Sequence, residues 1–212
     1  MKSVLLAPFA FVAAAASLSA QARSASTASP PGQSYIVAPD GNEARYRVRE
    51  QLAGFDLPKD AIGATKDVKG RIVIGPDGKV VKDGSKVSID LASLKSDQAR
   101  RDNFLRRATL ETSKYPQAEL VPVALEGLLL PIAPGSSQTF SVRGDLTVHG
   151  ATHPTIWQVT ARAEGNGIVG SATTAFTFKD FGLDQPKVPV VLSVADTIRL
   201  EYDFHFVPDT AH

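Results

Sequence analysis

Arg199-Leu200-Glu201-Tyr202-Asp203-Phe204-His205-Phe206 alternates strictly between ionisable and apolar side chains. A β-strand sends successive side chains to opposite faces, so this stretch has one wet face and one apolar face. Ala44-Arg45-Tyr46-Arg47-Val48-Arg49 repeats the pattern with arginine at every odd position. Ala172-Thr173-Thr174-Ala175-Phe176-Thr177-Phe178 repeats it less regularly. Strands that bury one face and wet the other suit antiparallel sheets. Val68–Ile74, Lys86–Leu91, Ala118–Leu130, Thr139–Val148 and Ile156–Ala163 read as further strands, and Leu52–Lys66 reads as irregular. Gly75-Pro76-Asp77-Gly78 and Gly165-Asn166-Gly167 read as hairpin loops, because Pro pre-sets one turn dihedral and Gly tolerates positive φ. One segment looks helical. Ser96-Asp97 can cap Gln98–Leu110, which is rich in helix formers and closed by Tyr115-Pro116. Roughly eight strands and one short helix imply an all-β chain, a closed barrel or a sandwich.

The 212 residues are 43% hydrophobic and 21% charged, which fits one folded domain and excludes a largely disordered chain. Twenty-three Lys plus Arg against 22 Asp plus Glu argue against a nucleic-acid partner. There is no cysteine, which removes disulfides, thiol catalysis and thiolate metal sites. Lys2, the apolar run Val4–Ala16 and Ala20-Gln21-Ala22 read as a signal peptide over residues 1–22, cleaved after Ala22. That reading implies a periplasmic or secreted protein with no membrane span left after cleavage. Arg23–Gln33 is small, polar and Pro-containing, and reads as a flexible tether before a domain over 34–208.

Several side chains invite a chemical role. Tyr46, Val48, Trp157, Phe176, Phe178, Leu200, Tyr202, Phe204 and Phe206 fall on the apolar faces. A packed core and a lined cavity both need such a face, so alternation alone does not separate them. On the helical segment, Arg100, Arg101, Arg106 and Arg107 surround Phe104 and Leu105. They suit either an anionic headgroup or a solvated face partnered by Asp97, Asp102 and Glu111. His149 and His153 flank Gly150 and precede Pro154, so a helical metal pair is disfavoured and a turn histidine bonding to backbone is expected; His205 is expected to be exposed. No nucleophile elbow, zinc-protease helix or phosphate loop is present, and neither a cofactor nor a metal is implied.

Three motifs resemble the YceI-like family of periplasmic lipid-binding proteins. They are Ser93–Leu105 with Tyr115-Pro116 and the following strand, Val142–Pro154 containing Gly144-Asp145-Leu146-Thr147-Val148-His149-Gly150, and Phe178-Lys179-Asp180-Phe181-Gly182-Leu183. The resemblance implies an extended, eight-stranded antiparallel lipocalin-like barrel with one short helix. It also implies a non-enzymatic role, holding an isoprenoid quinone or prenyl phosphate in an apolar interior. On that footing Tyr46, Val48, Phe104, Leu105, Trp157, Phe176, Phe178, Leu200, Tyr202 and Phe204 are the expected pocket lining. Arg100 and Arg101 are candidates for the headgroup, with locking of the helix onto the barrel as the alternative role of Arg101-Asp102. Two rivals stay open: an enzyme or redox accessory presenting a quinone-like substrate, and a self-filled barrel acting through its surface. A homodimer also stays open.

Overall fold

The structure, a computed structural model, describes residues 32–210. The expected signal peptide and nearly all of the tether lie outside the described residues. Within them the chain is a closed antiparallel barrel. β1 (Gln33–Val37) pairs with β4 (Val68–Ile74), and the ring continues through β5 (Lys86–Asp90), β7 (Gln117–Glu126), β8 (Ser137–Val148), β9 (Ala151–Glu164), β10 (Gly167–Thr177) and β11 (Val191–Pro208). Pairing of β1 with the end of β11, from Tyr35↔Pro208 to Val37↔Phe206, closes eight strands on themselves. A second tier adds three further strands: β2 (Glu43–Leu52) continues β1 along β11, β3 (Lys59–Thr65) pairs with β2, and β6 (Lys95–Ser96) pairs with β3. Closure leaves no open edge around the ring, which removes the aggregation hazard of unpaired strands.

The strand expected over Val68–Ile74 has those bounds, while β9, β10 and β11 are longer than their alternation suggested. The irregular reading of Leu52–Lys66 is corrected by β3. Its inward positions are Ala61, Gly63 and Thr65, all buried, so the strand lacks the large apolar residues that make alternation visible. The small residues are needed there: a Cβ at Gly63 would lie 2.2 Å from Cε1 of Tyr46 on the neighbouring strand. The strand expected to reach Leu130 ends at Glu126. Gly127 turns the chain at positive φ, and Leu128, Leu130 and Ile132 fold over that end of the barrel.

The helical segment is shorter than expected. α1 (Ala99–Phe104) passes into a π-helical turn at Leu105–Thr109, with the Leu110 N–H donating to the Leu105 carbonyl at 2.8 Å. Ser96-Asp97 is not its cap. Gln98 holds that position without a side-chain bond, and Asp97 pairs with Arg101 instead.

Between β8 and β9, His149-Gly150 makes a two-residue turn with positive φ at both residues, the form that matches strand twist. His149 Nε2 meets the Glu111 carboxylate at 2.7 Å, and its ring stands edge-on to Tyr115. The expected backbone bond is therefore replaced by a side-chain bond, because the turn aims the imidazole at the loop after the helix. His205 is half-buried rather than exposed, packed on the Asp40-Gly41 turn.

On the outer face, Arg45, Arg47 and Arg49 interleave with Glu43, Asp60, Glu201 and Asp203 across β2, β3 and β11. Arg47 chiefly holds the Glu201 carboxyl below its ordinary range, and Arg49 with Arg47 does the same to Asp60. A carboxyl with a depressed folded pKa adds stability above its unfolded pKa, about 4.3 for glutamate, and loses it as pH falls through the folded value. The urea midpoint is therefore expected to fall on acidification below about pH 5, with Glu201→Gln flattening that fall. Gly150→Ala should destabilise by about 1–3 kcal/mol in urea unfolding, since φ is positive and the new Cβ would meet the Tyr115 ring.

Candidate functional site

The inward faces of the strands do not meet. They enclose a cavity of about 1060 Å³ along the barrel. Near one end its wall is Tyr35, Ile72, Ile168 and Phe206, beneath the Leu128–Ile132 segment. Near the other end the wall is made by α1 and the segment leading into β11. Among the described residues the exposed wall residues are Phe55, Gln98, Arg100, Pro189 and Val190, all at the helix end. The cavity therefore opens at that end and is covered at the other. Large apolar side chains do not plug it, in contrast to a self-filled barrel.

All the residues expected as lining stand on this wall. Tyr46 and Val48 come from β2, Trp157 from β9, Phe176 from β10, and Leu200, Tyr202 and Phe204 from β11. Phe178 opens the 3-10 turn Phe178–Phe181, while Phe104 and Leu105 reach in from the helix and its π turn. Val48, Trp157, Phe178 and Phe204 are buried; Tyr46, Phe176, Leu200 and Tyr202 are only half-buried although they point inward. The free area they retain faces the void.

The polar edges of this wall are mostly paired. The Trp157 Nε1–H donates to Thr155 Oγ1 at 3.0 Å. The Tyr202 hydroxyl donates to Asn42 Oδ1 at 2.8 Å, and burial pushes that phenol well above its usual range. Asn42 is itself buried, donates to the Ala38 carbonyl, and stitches β11 to the joint between β1 and β2. Tyr46 differs: its buried hydroxyl has no hydrogen-bond partner among the described residues, and burial pushes the phenol up to about 12.

Polar groups gather at the mouth. Glu50 continues the even-numbered inward face of Ala44, Tyr46 and Val48, so a carboxylate is turned into the wall and is only 8% exposed. Arg101 of α1 meets it, Nη2 to Oε1, at 2.6 Å, and also contacts Asp97 and Ser96. Asp102 accepts from the Ser96 N–H at 2.9 Å and from its hydroxyl at 2.6 Å. Arg101 and Asp102 thus clamp the helix across the opening, and the Arg101 guanidinium is already occupied. Arg100 is exposed at the mouth and has no ionic or hydrogen-bond partner among the described residues. Of the two arginines considered for a headgroup, the structure leaves Arg100 available.

Sequence reading missed Asn42, Glu50, Gln98, Phe55 and Val190. Glu50 carried a signal, since the parity of the strand already placed it inward. The others sit in turns and joints whose position depends on distant strands. No cluster of His, Asp and Glu that could hold a metal occurs among the described residues, and none of their helices is long and apolar enough to cross a membrane.

An eight-stranded antiparallel barrel with a deep apolar cavity, open at one end beside a short helix, defines a lipocalin-like class of protein. Residues 35–206 match the family model of the YceI-like domain, so the chain belongs to that family. Among curated proteins it is 36% identical over 113 residues to UPF0312 proteins of Pseudomonas putida strains GB-1 and W619. That match covers 49% of this chain and 55% of theirs, so the chain spans about half the length of the curated relatives it matches. A polyisoprenoid binding domain from Saccharophagus degradans has a similar fold, with a TM-score of 0.61 at 14% identity over 84% of this chain and 99% of that one. Burkholderia cenocepacia BcnA is similar at a TM-score of 0.57 and 17% identity, covering 77% and 95% of the two chains.

Removing one partner of a buried ion pair leaves the other charge uncompensated. Arg101→Ala is expected to destabilise by about 3–5 kcal/mol in urea unfolding, against less than about 0.5 kcal/mol for Arg100→Ala.

Proposed function

We propose that this protein binds one long-chain isoprenoid lipid, tail inward, as a non-enzymatic carrier or store. The observation that carries the reading is the unfilled apolar cavity of about 1060 Å³ that opens beside the helix. At roughly 30 Å³ per methylene-sized group, taken as similar to a water's share, it has room for about 35 such groups. Burial of each contributes about 0.8 kcal/mol, so an extended prenyl chain is held by apolar burial alone. The polyisoprenoid binding named for the Saccharophagus domain of similar fold supports the same class of ligand.

The head would stay at the mouth. There Gln98 and the free Arg100 offer donors, and the Tyr46 hydroxyl lacks a partner. An isoprenoid quinone or a prenyl phosphate would each meet this set, the first through carbonyl acceptors and the second through Arg100. The reading of residues 1–22 as a signal peptide supports a carrier in the periplasm or outside the cell, where a water-insoluble chain needs cover to move between membranes.

The protein purified without detergent from its own host is expected to yield a near-stoichiometric isoprenoid on solvent extraction and mass spectrometry. A clean extract, with no uptake of added isoprenoid quinone or prenyl phosphate, would overturn the reading. Val142 lines the void beside Trp157, its register partner on the neighbouring strand. Val142→Trp should fill part of the cavity and weaken lipid binding by about tenfold or more, with stability changed by no more than about 1–3 kcal/mol.

A further inference from the structure

The mouth carries apolar side chains that nothing in the barrel covers. Phe55 and Leu57, in the connection between β2 and β3, are 60% and 78% exposed, and Val190 and Leu192, at the start of β11, are 58% and 66% exposed. The two pairs adjoin. The Ala53 N–H donates to the Val190 carbonyl at 3.0 Å, and Leu52 is the register partner of Val191. Phe55, Pro189 and Val190 belong both to the cavity wall and to this outer surface. The apolar lining therefore runs unbroken from the barrel onto its rim. Leu129, the most exposed large apolar residue at the covered end, is not itself part of the cavity wall.

We propose that this rim docks onto the surface of a lipid bilayer, so that a lipid chain passes between membrane and cavity without crossing water. The inference rests on the lipid-binding reading above. A bilayer suits the patch better than a second protein. Residues 53–58 are exposed throughout and present two large apolar side chains, joined by two more across the strand pair. Four side chains fall short of the roughly 800 Å² per partner of a stable protein interface. A short apolar tip can instead enter the boundary between headgroups and acyl chains. Lys59, whose ammonium lies 5.8 Å from the Phe55 ring centroid and 3.8 Å from Asp97 Oδ2, and the unpaired Arg100 stand at the rim, where they can meet lipid phosphates while their stems stay on apolar surface. Asp56 and Asp184 share these segments, so attraction is apolar first and depends little on salt.

The test uses vesicles of phosphatidylethanolamine and phosphatidylglycerol, with a fluorescent prenyl alcohol as the transferred probe. The protein is expected to float with the vesicles, and its rate of probe uptake should rise in proportion to vesicle concentration. Leu57→Ser with Leu192→Ser, two rim residues outside the cavity wall, should lower flotation and uptake rate by about tenfold or more, and Leu129→Ser should leave both unchanged. Equilibrium loading of probe delivered from ethanol should be the same in all three proteins. Absence of flotation, or wild-type flotation and uptake rate in the double variant, would overturn docking. So would a patch-dependent dimer in light scattering that does not float. Failure of the wild-type protein to load probe from ethanol would overturn the lipid-binding reading instead, and flotation would still decide docking separately.

Discussion

The architecture depends on the seam along β11. That strand runs for 18 residues, gives one edge to β10 and the other to β2 and then β1. Without the last of these pairings the sheet would have two free edges, each with a row of unpaired backbone groups. The seam also determines that there is an interior at all. Ala44, Tyr46 and Val48 face the same void as Leu200, Tyr202 and Phe204 because β2 pairs with β11 beyond the end of β1. Asn42 reinforces the joint from within, bonding Tyr202 and the His205 backbone where β1 hands over to β2.

An eight-stranded ring is close to the size at which side chains fill the centre. Here they stop short of it. Several inward positions hold small residues, among them Ala44, Ala61, Ala118, Ala161 and Ala172, while the large ones are spread along the barrel instead of converging at one level. The cost is visible in the half-buried state of Tyr46, Phe176, Leu200 and Tyr202, which pack against the core but keep part of their surface uncovered. A protein core would normally close such gaps. Leaving them open is reasonable where another molecule supplies the missing contacts.

The mouth is built on different physics from the wall. A carboxylate turned inward on β2 would be costly alone, and Arg101 makes it tolerable. The same pair anchors α1, whose continuation brings Phe104 and Leu105 over the void. Asp102 and Ser96 add a second tie, so the helix is held by its polar side while its apolar side faces the cavity. Pinning the helix at one edge leaves the other edge of the opening to the β2–β3 connection and the segment before β11, where the exposed apolar residues lie.

Strand by strand, the alternation of Arg199–Phe206 and Ala44–Arg49 was enough to assign an inner and an outer face, because side-chain direction in a strand has a period of two whatever the neighbours are. That parity placed Tyr46, Leu200, Tyr202 and Phe204 on one apolar surface, and the family motifs supplied the barrel. It failed at β3, where Ala61, Gly63 and Thr65 carry too little apolar bulk to reveal a period. Parity also could not say whether the apolar faces touch. The distance between opposite walls depends on how many strands close and how large the facing side chains are together, a sum over residues far apart in the chain. The pairing of Arg101 with Glu50 and the freedom of Arg100 were decided the same way, by a helix landing on a strand some fifty residues distant in sequence. Local periodicity determines which way a side chain points, and only tertiary closure decides what it meets.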